Sequence, residues 1–171
     1  MRGVGWMVCA AACTGSGPEE EPLVVDAVEL RTLGDGFTID VRWDASGGRD
    51  VLLGVDTDYT VDVVLYDGPT EVTDRVAAAP DRYQLFLTGP GLDGPASEAE
   101  SRLLEHLVLD GDLGLAHQLL PATTGATELT VTLQDLEDAK EPDLAEVVRT
   151  EGLDALPGRV VVSATYPLTV L

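Results

Sequence analysis

The stretch FTIDVRW at residues 37–43 alternates large apolar side chains with polar ones along its whole length. A period of two places the apolar side chains on one face of a β-strand and the polar ones on the other. Another apolar segment, at residues 23–30, comes before it, and Gly34-Asp35-Gly36 between the two is a turn signal. The two segments are therefore predicted to form a β-hairpin.

Similar segments, alternating or rich in β-branched residues and bounded by turn residues, recur along the chain. They are predicted as strands at residues 51–55, 59–66, 83–88, 128–133 and 159–165, with a continuation at 166–171 that Pro167 interrupts. About seven strands result, at spacings typical of a sandwich. The predicted fold class is mainly β, an antiparallel sandwich-like domain with one or two short helices inserted.

Two segments show helical signals instead. Ser97 and Glu100 form a capping-box pattern ahead of apolar residues at helical spacing, which predicts a helix over residues 97–109. A second helix is predicted at residues 144–149, with a proline near its first turn and a glycine after its end. Residues 113–120 fit a strand or a helix equally well.

The N-terminus carries an export pattern. Arg2 is followed by an apolar stretch, and Ala10-Ala11-Ala12 stands directly before Cys13. This order resembles the signal peptide and lipobox of bacterial lipoproteins. The resemblance implies that residues 1–12 are removed and that Cys13 becomes the lipidated first residue. The apolar stretch is shorter than the roughly 20 residues that a membrane-spanning helix needs, so the lipid would be the membrane attachment.

The residues after Cys13 divide into a short polar segment and one domain. Residues 13–22 contain two glycines, two prolines and three consecutive glutamates, a composition typical of a flexible tether. Residues 23–171 are long enough for a single domain with its own core. Their opening strands, including residues 37–43 and 59–63, resemble immunoglobulin-like and fibronectin type III sandwiches. That likeness implies that Trp43 fills the core. The helix predicted at 97–109 departs from those families, so either it is an insertion or the fold is a different β-rich one.

Charge and cysteine usage exclude several classes of function. The net charge is −21, from 10 basic and 31 acidic side chains, and loss of Arg2 with the signal would leave 9 against 31, or −22. A net negative charge of this size repels nucleic acid and anionic lipid surfaces. Cys9 and Cys13 are the only cysteines, so the body of the chain has no disulfide, thiolate zinc site, iron–sulfur cluster or thiol nucleophile.

Two acidic pairs are candidate calcium ligands. Asp56 and Asp58 are one residue apart in a predicted loop, and Asp110 and Asp112 are spaced in the same way in another. Calcium takes about six or more oxygen ligands, and neither segment matches the EF-hand loop. The other interpretation is that all four are solvated turn residues. No cofactor besides this candidate calcium ion is predicted.

The two histidines, His106 and His117, have acidic residues nearby, and together they could hold zinc. Their spacing matches no zinc signature, and the competing interpretation is a pair of partly exposed or capping histidines. The serines lack a nucleophile-elbow pattern, and no glycine-rich segment continues as a phosphate loop. The sequence therefore identifies no catalytic residue.

The sequence predicts an exported, lipid-anchored protein of the cell envelope, facing the periplasm or the outside. A binding or structural role is expected, with a protein or glycan partner and no nucleic acid. One alternative is a carboxylate-dependent hydrolase acting on envelope or extracellular glycans, which needs two converging acids and at least one raised pKa. The other is a calcium-binding module in which the aspartate pairs meet.

Overall fold

The computed structural model describes residues 21–97, 102–111, 113–137 and 140–171. Within these residues the chain forms twelve strands, two α-helices and one 3-10 turn. In chain order they are β1 (Ala27–Gly34), β2 (Phe37–Asp44), β3 (Gly47–Gly48), β4 (Val51–Leu53), β5 (Tyr59–Asp67), β6 (Thr70–Glu71), α1 (Thr73–Ala77), β7 (Tyr83–Thr88), β8 (Leu92–Asp93), β9 (Leu104–Val108), β10 (Ala116–Pro121), β11 (Gly125–Asp135), α2 (Leu144–Glu151), the 3-10 turn (Leu153–Ala155) and β12 (Arg159–Val170).

The strands form two sheets that enclose one core. The larger sheet has the order β3-β2-β1-β5-β10-β9-β8, with β6 beside β5, and the smaller has the order β4-β12-β11-β7. Most pairings are antiparallel, but the short pairings of β4 with β12 and of β8 with β9 are parallel. The predicted mainly β, sandwich-like fold is confirmed. The strand count exceeds the predicted seven partly because β3, β6 and β8 are only two residues long.

The hairpin predicted around residues 37–43 is confirmed. β1 and β2 pair antiparallel, with Leu30 opposite Val41 and Gly34 opposite Phe37. Asp35 and Gly36 form the two-residue connection, and both have positive φ angles, of 45° and 82°. That conformation matches the twist of the strands it joins. β1 begins at Ala27, later than predicted.

The core combines inward side chains from both sheets. Val28 and Leu30 of β1, together with Leu65 of β5, pack in the same cluster as Leu133 of β11 and Tyr166 of β12. Tyr166 is fully buried, and its hydroxyl donates to the carbonyl oxygen of Val28 at 2.8 Å. Burial raises the pKa of this hydroxyl well above its ordinary value. Tyr166 therefore connects the two sheets through both its ring and its hydroxyl. The tryptophan expected in the core, Trp43, is only partly buried and packs against this cluster.

The predicted helix over residues 97–109 is wrong. Residues 104–108 form β9, which pairs antiparallel with β10. The Ser97 hydroxyl, expected to cap the helix, instead donates to the carbonyl oxygen of Gly89 at 3.0 Å, while Glu100 lies outside the described residues. Alternation along β9 buries Leu104 and His106, and pairing with β10, the next strand of the chain, overrides the local helical spacing. The ambiguous segment at 113–120 becomes β10, from residue 116 onward.

The predicted second helix is confirmed as α2, which covers the outer side of the smaller sheet. Leu144 and Val148 of α2 pack on Phe86 of β7, with Leu136 and Leu156 completing a second apolar cluster. No helix of the described residues is both long and apolar enough to span a membrane. The helix α1, of five residues, was not predicted.

Candidate functional site

The predicted calcium ligands lie at opposite ends of β10. Exposed Asp56 donates its backbone N–H to the carbonyl oxygen of Pro121, at the end of β10, over 3.3 Å. Asp58 is exposed in the same turn. The Asp110 carboxylate instead accepts the N–H groups of Gly114 at 3.0 Å and Leu115 at 2.7 Å, just before β10 begins. The intervening strand separates the two regions by roughly 20 Å.

The fourth predicted calcium ligand, Asp112, lies outside the described residues. Among the residues that the structure describes, no group of three or more histidine, cysteine, aspartate or glutamate side chains is arranged to hold a metal ion. Asp110 acts there as a turn residue that satisfies two backbone amides.

Among the described residues, two carboxyl groups, of Asp44 and Asp135, have a pKa below the ordinary range. The Ser46 hydroxyl and backbone N–H lower the pKa of Asp44, with hydrogen bonds of 2.6 and 2.8 Å. Arg82 lowers the pKa of Asp135 through charge-assisted hydrogen bonds of 2.8 and 2.9 Å. Both shifts favour the ionised form, whereas a general acid in glycoside hydrolysis requires a raised pKa.

The two histidines form a buried pair on β9 and β10. His106 stands opposite Leu119 and His117 opposite Val108, so the two imidazoles are diagonal neighbours on one face of the sheet. His106 Nε2 lies 2.8 Å from His117 Nδ1, and His117 Nε2 lies 2.6 Å from the carbonyl oxygen of Gly114. The expectation of partly exposed or capping histidines is therefore wrong, because their exposed fractions are 2% and 0%.

The hydrogen bonds determine the tautomers of the neutral pair. The Gly114 carbonyl can only accept, so His117 Nε2 carries a proton and His117 Nδ1 accepts from His106 Nε2–H. His106 Nδ1 is then an unprotonated acceptor, and it has no hydrogen-bond partner in the part of the chain that the structure describes. The two histidines together therefore have one hydrogen-bond acceptor, His106 Nδ1, without a donor among the described residues.

Burial keeps both imidazoles neutral. Burial, together with a smaller effect of the neighbouring His117, lowers the pKa of His106 to about 3. Burial also lowers the pKa of His117, although the hydrogen bond to Gly114 and the charges of Asp110 and Asp62 oppose the shift. At neutral pH the pair therefore carries no charge.

A glycine lets the loop between β9 and β10 reach this position. Gly114 has a φ of +76°, and a Cβ at this residue would overlap the carbonyl oxygen of Leu85. The loop crosses the free edge of β7, where the Leu85 N–H donates to the carbonyl oxygen of Leu113 at 2.8 Å. This close approach places the Gly114 carbonyl against His117.

A small cavity of about 120 Å³ adjoins His106. β7, β9, α2 and the segment around Ala96 surround it, and most of its lining is apolar. Two polar side chains also line it, Gln84 and His106, and both are more than nine-tenths buried. Gln84 Oε1, like His106 Nδ1, lacks a hydrogen-bond partner among the described residues. The cavity thus combines an apolar lining with two unsatisfied acceptors.

We expect the histidine pair to destabilise the fold in mild acid. The unfolded chain takes up a proton on His106 near the ordinary pKa of 6.5, whereas the folded chain does so only near 3. Stability is therefore lost as pH falls from about 6.5 toward 3, by about 2 kcal/mol at pH 5 from His106 alone. Urea unfolding at pH 7.5 and 5 measures this loss.

The variant His106→Gln isolates this effect. Its amide N–H can still donate to His117 Nδ1, but the side chain does not titrate. The loss of unfolding free energy between pH 7.5 and pH 5 should be about 2 kcal/mol smaller in this variant than in wild type. An equal loss in both proteins would show that His106 does not cause it.

The cavity and the direct hydrogen bond between the two histidines were not predicted from sequence, although the two side chains were considered together as zinc ligands. The only available signal was the presence of two histidines eleven positions apart, and the helix expected at residues 97–109 placed His106 on a helix and not on a strand paired with that of His117. Gln84 offered no signal, since a single glutamine in a strand is unremarkable. No protein-family model matches this chain, and the comparison with curated proteins finds no significant match.

Proposed function

We propose that this protein is exported and held at the cell envelope by a lipid on Cys13. Its β-sandwich then serves as a binding or structural domain that faces the periplasm or the outside. The observation that carries the proposal is the order of Arg2, an apolar stretch, three alanines and Cys13. This order resembles that of lipoprotein signals, in which the cysteine is the acylated residue.

The distance from Cys13 to the folded core fits an anchored domain. Leu23, which is 3% exposed, belongs to the core and follows Cys13 by ten positions. Ten extended residues span at most about 35 Å. A lipid on Cys13 would keep the sandwich within that distance of the membrane surface. The net charge of the chain would repel anionic headgroups, so the lipid would supply the attachment.

A binding role is favoured by what the chemically capable side chains contact. Asp135 is held in an ion pair with Arg82, Asp110 accepts two backbone N–H groups, and Ser97 donates to a backbone carbonyl. The cavity beside His106 instead has acceptors without partners. Such a site is suited to holding a molecule. We propose in addition that the domain binds a macromolecular partner, either a protein or a glycan.

The experiment compares Cys13→Ser with Cys9→Ser in a bacterial host that processes lipoproteins. Cys9 offers a matched control, because it lies in the segment expected to be removed. We expect wild type and Cys9→Ser to partition into the detergent phase. Their intact mass should lack residues 1–12 and include thioether-linked acyl chains. Cys13→Ser should keep residues 1–12 or carry no acyl mass.

Two results would overturn the proposal. One is a wild-type mass without acyl chains in the membrane fraction. The other is the same mass modification and the same partitioning in Cys13→Ser as in wild type.

A further inference from the structure

We propose that the cavity beside His106 binds a compact, neutral molecule the size of a single ring that carries a hydroxyl or N–H donor. This inference concerns the folded domain and does not depend on a lipid at Cys13. It goes beyond the proposed envelope location by assigning a site and a ligand class.

The volume of the cavity sets the size of the ligand. At about 120 Å³, it is close to the roughly 150 Å³ of an apolar protein cavity that holds benzene. Leu85, Leu87, Val108 and Ala145 supply apolar lining. The exposed residues of the lining, Pro95 and Gly111, mark where the cavity meets the surface. A six-membered ring or a short branched chain therefore fits, and a sugar chain or a peptide does not.

The polar atoms of the lining set the hydrogen-bonding character of the ligand. His106 Nδ1 and Gln84 Oε1 are buried acceptors without partners among the described residues. Buried acceptors are nearly always satisfied in folded proteins, and leaving one unpaired is unfavourable. A hydroxyl or N–H on the ligand would supply the missing donor. The ligand is thus expected to donate.

The absence of charge in the lining makes a neutral ligand the best fit. None of the described residues that line the cavity has a formally charged side chain, and His106 is itself neutral. A charged ligand would lose its hydration without gaining a counterion, which is costly. A phenol-like molecule meets all three requirements of size, donor and neutrality.

Phenol and toluene test the proposal, because they have nearly the same shape and only phenol can donate. The protein is the full-length chain with Cys13→Ser, which cannot be acylated at position 13. Chemical-shift titration by NMR should give a Kd for phenol about tenfold lower than for toluene, as one buried hydrogen bond predicts. Phenol should also shift the His106 Nδ1 resonance and leave that of His117 Nε2 nearly unchanged.

Three variants locate the site. Ala145→Leu should fill the cavity and abolish phenol binding, whereas Ala77→Leu, the same change at an exposed position of α1, should not. Gln84→Met keeps a side chain of similar length without the amide oxygen, and it should reduce the preference for phenol over toluene. This third variant tests the site even if Ala145→Leu disturbs the packing of α2.

Each contrary result overturns the proposal. Equal affinity for phenol and toluene would mean an apolar void that does not select donors. Absence of any shift at millimolar phenol would mean a cavity filled by water alone. Phenol binding that survives Ala145→Leu and keeps its preference in Gln84→Met would place the ligand elsewhere. If phenol does not bind but wild type is acylated, the ligand proposal fails and the envelope proposal stands. If phenol binds as expected but wild type carries no acyl chains, the envelope proposal fails and the ligand proposal stands.

Discussion

Replacing Tyr166 with alanine is expected to lower the free energy of unfolding by about 4 kcal/mol. The ring is fully buried between the sheets, and its hydroxyl donates to the carbonyl oxygen of Val28. Truncation of a buried aromatic side chain removes its transfer free energy and leaves a cavity, which together cost about 3–5 kcal/mol. Urea unfolding at pH 7.5, followed by far-UV circular dichroism, measures the change.

Two further variants separate the ring from the hydroxyl. Tyr166→Phe keeps the ring and removes one buried hydrogen bond, so it should cost about 1–2 kcal/mol. Tyr66→Phe removes the hydroxyl of a half-buried tyrosine on the outer face, which accepts from Arg31, and should cost less than about 1 kcal/mol. A Tyr166→Ala protein within 1 kcal/mol of wild type would contradict the connecting role of Tyr166, since the expected cost is about four times larger.

The second large effect is expected at Asp135, whose replacement by alanine should cost about 3 kcal/mol. Its carboxylate is 1% exposed, and it accepts two hydrogen bonds from Arg82 and one from the Glu137 N–H. Arg159 approaches the same carboxylate at 3.4 Å. Removing the carboxylate takes away the buried anion that Arg82 and Arg159 both contact, which is destabilising even though both guanidinium groups are partly exposed.

A surface aspartate provides the control for Asp135. Asp154 lies exposed in the 3-10 turn, and Asp154→Ala should change the free energy of unfolding by less than about 0.5 kcal/mol. Asp135→Asn keeps some hydrogen bonding without the charge. Its change in the free energy of unfolding should lie between those of Asp135→Ala and Asp154→Ala. Equal stability of Asp135→Ala and Asp154→Ala in urea would show that the ion pair contributes nothing.

The pH ranges of the two buried ionisable sites do not coincide. Asp135 has a lowered pKa in the folded chain, so its contribution is present above the ordinary carboxyl pKa of about 4 and is lost as pH falls through the folded value. The loss due to His106 begins near pH 6.5 and continues toward 3. Unfolding measured between pH 6.5 and 5 therefore reports on the histidine pair and leaves the Asp135 contribution intact.

Strands that rely on local signals were predicted well. The alternation at residues 37–43 and the Asp35-Gly36 turn occur within a few positions of each other, and together they define the hairpin and its register. The failure at residues 97–109 has the opposite cause. Apolar residues there recur at helical spacing, but β9 gains its ladder bonds and burial from β10. A pattern read along one segment contains no information about a partner strand.

The candidate site illustrates the same limit. Its two histidines were visible in the sequence, but their contact depends on the register of β9 with β10 and on the loop that Gly114 lets pass across β7. Gln84 joins them only because β7 is the edge strand of the other sheet. No spacing in the chain could predict the cavity between these elements.

The sequence by itself determined the β-rich class, the hairpin, the strongly acidic charge and the lack of cysteines after Cys13, because each follows from composition or from residues close together. The tertiary structure decided the burial and tautomers of the histidine pair, the ion pair of Arg82 with Asp135 across 53 positions, and the cavity lined by Gln84 and His106. These depend on which strands become neighbours, and the free energy that selects those neighbours comes from burial and backbone pairing summed over the whole domain.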